Sequence, residues 1–137
     1  MNHTAIPIIL QIEDSEADIE YTQEACGESG CVAAFTVIRD GAAALDFVDA
    51  VVDGRESPPD LVLLDLNLPK VPGHAVLEKM RRHQEFAKIP IIVLTSTASS
   101  VERNRSMQLG ATTHLVKPVG FAATMKLIRD LQSYLPQ

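Results

Sequence analysis

The sequence predicts a single α/β domain built on a parallel sheet. Three observations carry that prediction. Short apolar runs alternate with helix-period stretches along the whole chain. Two of the runs, residues 61–64 (LVLL) and 90–94 (PIIVL), are apolar throughout, the pattern of central strands covered on both faces. Several runs hand over to a polar or charged residue, at Glu13, Asp65, Thr95 and Lys117. Strands alternating with helices in this way form a parallel sheet joined by right-handed crossovers, with helices on both faces.

Each element has its own justification. Residues 7–12 (PIILQI) read as a first strand ending in acid. Ser15 opens a helix, with Asp18 three residues on as its capping-box partner. Tyr21, Ala25 and Cys26 give that helix an apolar side, and Gly27, Ser29 and Gly30 stop it. Residues 34–39 (AFTVIR) are rich in β-branched and aromatic side chains, as a second strand requires. Asp40 caps the second helix, whose apolar face runs Leu45, Val48, Val51 and Val52. The polar loop 53–60 (DGRESPPD) carries two prolines that end any helix.

The third strand, 61–64, runs into Asp65. The third helix turns Val76, Leu77 and Met80 inward, and the fourth strand, 90–94, reaches Thr95. A helix over about residues 100–109 is ended by Gly110, and residues 113–116 form a short fifth strand reaching Lys117. The last helix, 121–135, shows Phe121, Met125, Ile128, Leu131 and Leu135 at helical spacing.

Composition narrows the function. The chain's 137 residues suffice for one buried core, and 46% hydrophobic with 22% charged residues is ordinary for a globular protein. The net charge of −6 argues against nucleic acid as the partner. No apolar run spans a bilayer, and the first ten residues lack the marks of a secretory signal, so a cytoplasmic protein is expected. Cys26 and Cys31 read as small apolar residues. His3, His74, His83 and His114 have no metal-ligand spacing among themselves.

In open parallel sheets, ligands bind beyond the carboxyl ends of the strands, where strand order reverses. The strands deliver Glu13 and Asp14, then Asp65, then Thr95 with Ser96, then Lys117 to that edge. Three carboxylates crowded together repel, and one is pushed to protonate unless a divalent cation joins them. All-oxygen ligation suits Mg2+.

These residues carry a resemblance to the response-regulator receiver domains of two-component signalling, over residues 8–135. The matching motifs are the acid pair in IEDS, the run LVLLDLNLP around Asp65, VLTS at Thr95 and the VKP turn at Lys117. The resemblance implies a flavodoxin-like (βα)5 fold with strand order 2-1-3-4-5, a single receiver domain over residues 1–137, and no output domain. It implies that Asp65 is the phosphoacceptor. Asp14 would bind Mg2+ directly and Glu13 largely through water, with Asp65 and the backbone carbonyl of Asn67 completing the ligands. Lys117 and the Thr95 hydroxyl would hold the phosphoryl oxygens, small Ser96 would leave access, and Lys117–Pro118 would be a cis peptide. The donor would be a sensor histidine kinase, and the protein a signalling switch instead of an enzyme. The phrases EDSEAD, RDGAAALDF and DLNLPKVPGH, with the long 53–60 loop, look closest to the small stand-alone receivers that partner bacterial phytochromes. A phosphotransfer protein as onward partner, and a homodimer through the fourth helix, fifth strand and fifth helix, are further expectations.

Three features depart from the commonest family pattern. Glu13 replaces an aspartate, loop 53–60 is long, and His114 stands where a switch Tyr or Phe usually sits. Thr95 and His114 are thus the expected switch residues, and His114 raises the prospect of a pH-sensitive switch. The fourth helix offers mainly Val101, Met107 and Leu109 as inward apolar residues, so loose attachment and repacking on phosphorylation are expected. Three other functions fit less well. A phosphohydrolase needs a second acid where Asn67 stands, a phosphate-independent scaffold has no use for the full site, and a flavin or nucleotide carrier needs a Gly-rich loop that is absent.

Overall fold

The computed structural model describes residues 5–136. His3 lies outside them. Five strands, β1 (Ile8–Ile12), β2 (Ala34–Ile38), β3 (Leu61–Asp65), β4 (Ile91–Thr95) and β5 (Thr113–Val116), alternate with five helices. The helices are α1 (Glu16–Glu28), α2 (Gly41–Val52), α3 (Gly73–Arg82), α4 (Ser100–Gln108) and α5 (Phe121–Leu131). All strand pairs are parallel and the order is β2-β1-β3-β4-β5, as expected.

Side chains alternate along each strand, so the sheet has two cores. Leu10, Ile12, Val62, Leu64, Ile91 and Val93 face α2 and α3. Ile9, Leu61, Leu63 and Ile92 face α1 and α5, where Ala25, Cys26, Ile128 and Leu131 close over them. β3 is buried at every position, which explains its unbroken apolar sequence. The last helix ends at Leu131 and tightens into a 3-10 turn at Gln132–Tyr134, four residues short of the sequence expectation.

Two joints fix the site edge. Gly73 opens α3 against the end of β3, and a Cβ there would lie 2.5 Å from the Asp65 carbonyl oxygen. Gly120, at φ +91°, turns the chain into α5 in a conformation that only glycine adopts freely. One expectation is corrected at this turn. Lys117–Pro118, expected as cis, is trans, and no described peptide bond is cis. Gly120 makes the reversal, while the Lys117 N–H continues the ladder to the Thr95 carbonyl at 2.7 Å. The favoured trans isomer therefore meets no conflict.

Candidate functional site

Strand order reverses between β1 and β3, and their carboxyl ends carry the acids. Glu13 follows β1 and Asp65 ends β3; each is 5% exposed. Asp14 points outward to solvent. One carboxylate oxygen from each of the three lies within 4.8 Å of the others. Lys117, at the end of β5, crosses to them. Its ammonium donates to Glu13 Oε1 at 2.8 Å, Asp18 Oδ2 at 2.8 Å and Asp65 Oδ2 at 3.3 Å. The Asn67 N–H donates to Asp65 Oδ1 at 3.1 Å, steadying the carboxylate from its own loop.

Electrostatics at this rim are strained toward excess negative charge. Burial pushes the Glu13 carboxyl up to about 7, with Asp65 adding to the rise and Lys117 opposing it. Burial alone would lower the Lys117 ammonium, but Asp18, Glu13 and Asp65 outweigh it and raise it above the ordinary lysine value. The donor set is hard oxygen, clustered, and carries more negative charge than one ammonium neutralises. That is the chemistry a Mg2+ or Mn2+ site requires.

Thr95 is fully buried, and its hydroxyl donates to Glu102 Oε1 on α4 at 3.1 Å. Ser96 is exposed beside it. His114 is buried, and its Nδ1 lies 2.9 Å from Ser106 Oγ, which lies 2.8 Å from His74 Nε2. Burial, aided by Arg103, lowers the His114 imidazole, and burial with Arg105 lowers His74, each favouring the neutral ring. Beneath the acids, a cavity of about 40 Å3 reaches between α1 and α5, past Tyr21, Leu63 and Thr124. Gln11 Oε1, buried and without a hydrogen-bond partner, is among its lining residues.

The structure thus brings together Glu13, Asp14, Asp65 and Lys117, with Asn67 beside them. It places Thr95 on the neighbouring strand with its hydroxyl engaged by α4. Sequence reasoning missed Asp18, Glu102, Ser106 and His74 as parts of this apparatus. Asp18 carried the signal of a helix cap, which hid its reach to Lys117; Ser106 carried no signal. Val101 and Met107, expected inward on α4, are 78% and 42% exposed. The fully buried α4 side chain is Ser106.

Residues 9–129 match the family model described as the response regulator receiver domain. The chain belongs to that family. Among curated relatives, the probable methanogenesis regulatory protein FilR2 of Methanothrix harundinacea is 35% identical over 93% of this receiver and 82% of its own length. The response regulator Rcp1 of Synechocystis is 33% identical, over 93% of the receiver and 87% of Rcp1. The solved Mn(2+)-bound form of Rcp1 superposes with a TM-score of 0.82 at 30% identity, covering 96% of this receiver and 99% of that chain. The phosphorylated cyanobacterial phytochrome response regulator RcpA superposes with a TM-score of 0.85 at 28% identity, over 96% and 94%. The receiver is a signalling-switch module related to phytochrome response regulators, and among the described residues no helix is long and apolar enough to cross a membrane.

Proposed function

We propose that this chain is a stand-alone receiver that accepts one phosphoryl group on Asp65 from a sensor histidine kinase. The observation that carries the reading is the approach of Lys117 to a buried Asp65 whose neighbours Glu13 and Asp14 present oxygens within 4.8 Å. In the transfer, an Asp65 carboxylate oxygen forms the new P–O bond as the P–N bond to the donor imidazole breaks. Asp14, Asp65 and the Asn67 carbonyl would hold Mg2+, with Glu13 acting through water. The ion supplies charge neutralisation at the phosphoryl oxygens. Lys117 and the Thr95 hydroxyl hold those oxygens, which requires Thr95 to exchange Glu102 for phosphate. His114 then answers through its bond to Ser106, in place of an aromatic flip.

A phytochrome-type kinase is the donor this reading favours, supported by RcpA, whose solved form is a phosphorylated phytochrome response regulator. Free Cys26 and Cys31 fit a reducing, cytoplasmic setting. Exposed Val101, Val116 and Val119 on the α4, β5 and α5 side support that face as a homodimer or partner surface.

Intact mass after incubation with Mg2+ and acetyl phosphate tests the acceptor. Wild type should gain one phosphoryl group and Asp65→Asn none. Gain in both proteins would move the acceptor elsewhere. Transfer from a phytochrome kinase, compared with an unrelated sensor kinase, tests the pathway; equal rates would remove the phytochrome assignment.

A further inference from the structure

Asp18 occupies the third position of α1, after the N-cap Ser15, whose hydroxyl accepts from the Asp18 N–H at 3.3 Å. A reciprocal capping box would return the Asp18 carboxylate to the Ser15 N–H. That N–H donates instead to Glu13 Oε2 at 3.2 Å. The Asp18 carboxylate is released from capping and accepts from Lys117 at 2.8 Å.

An ammonium has three N–H donors. Those of Lys117 go to Glu13, Asp18 and Asp65, and the longest of the three bonds, 3.3 Å against 2.8 Å, is to Asp65. A phosphoryl group on Asp65 brings acceptor oxygens and about −1.5 to −2 of charge, so it draws the ammonium toward Asp65 and away from the two carboxylates that now hold it more closely. The two rivals differ in exposure. The Glu13 side chain is 6% exposed and the Asp18 side chain 45%. Releasing Glu13 would strand a buried carboxylate, whereas water solvates a released Asp18. Asp18 is the partner that yields.

We propose that Asp18 is a positioning residue that draws Lys117 to the outer rim and competes with the phosphoryl group for its ammonium. It thereby sets how tightly the site holds phosphate. The inference rests on Asp65 being the acceptor, and it adds a residue that tunes occupancy without touching the phosphorus.

Calorimetric titration with beryllofluoride in excess Mg2+, on wild type, Asp18→Asn and Asp18→Glu, tests it. Asp18→Asn keeps the shape of the helix start and should bind about two- to fivefold more tightly, the scale of one part-exposed ion pair. Asp18→Glu should return toward wild type. The 15N resonance of the Lys117 ammonium in the unliganded protein should shift in Asp18→Asn and recover in Asp18→Glu, which a purely helix-stabilising role would not produce. Equal or weaker binding by Asp18→Asn, with wild type binding normally, would overturn the positioning role alone. Failure of wild type to bind beryllofluoride would overturn the acceptor reading, and this inference with it.

Discussion

α3 and α4 follow neighbouring strands, yet different physics holds them. α3 buries Val76, Leu77 and Met80 completely. Its Arg81 donates to the carbonyls of Gly110, Phe86 and Ile89 and to Thr112 Oγ1, closing the far end of the sheet. α4 buries one hydroxyl. It is held by Ser106 between His74 and His114, by Arg103 Nη1 donating to the His114 carbonyl at 2.7 Å, and by Glu102 accepting from Thr95. Apolar burial is non-directional and indifferent to chemistry at the rim. Hydrogen bonds are directional and can be exchanged one for another. The contrast teaches that a helix meant to answer the site is attached by bonds that the site can compete for.

The comparison breaks most sharply in the α3 core. Leu77→Ala should cost about 2–5 kcal/mol in a denaturant titration, while no apolar truncation on α4 approaches that figure. Next is Ser106→Ala, which leaves two imidazole nitrogens without their partner and should cost about 1–3 kcal/mol. Amide exchange should then accelerate through α4 and leave α3 unchanged; uniform acceleration of both helices would erase the distinction drawn here.

Acid offers a third route, with a definite sign. His74 and His114 both titrate below the ordinary value of 6.5 in the folded protein. The unfolded chain therefore binds more protons as pH falls through 6.5, and the stability these residues contribute is full above that pH and lost below it. Protection of the α4 amides, measured relative to their intrinsic exchange rate at each pH, should fall as pH drops from about 7.5 to 5.5, and His114→Gln should flatten that response. Smallest is Glu102→Gln, which weakens the acceptor of the Thr95 hydroxyl and should change stability by under about 1 kcal/mol. Its effect should be read in the Thr95 methyl resonance, and an unmoved resonance would mean that Glu102 does not restrain Thr95.

The same contrast explains what was legible in the sequence. α3 announces itself through apolar spacing, and the buried strands through unbroken apolar runs, so element order and the acid rim at Glu13, Asp14 and Asp65 could be read directly. Polar attachment leaves no periodic trace. Ser106 is one serine among several, and only the fold brings it between histidines 32 and 8 residues away. Asp18 was hidden by a stronger local signal, a helix cap, that its neighbour Glu13 fulfils. Val101 and Met107 misled because apolar character was read as burial on a helix whose inner face is polar. The cis Lys117–Pro118 bond was implied by the resemblance alone, and the chain keeps the intrinsically favoured trans isomer there.

Gly73 has an evolutionary consequence. Its α-carbon abuts the Asp65 peptide so closely that no side chain fits between them. The core beneath β3 can drift in volume as substitutions accumulate, each absorbed by rotamers and neighbours. The joint cannot drift, because its spacing is backbone against backbone. Lineages descended from this chain are free to exchange leucines for isoleucines below the rim, but they inherit one permitted residue at the place where the helix meets the acid.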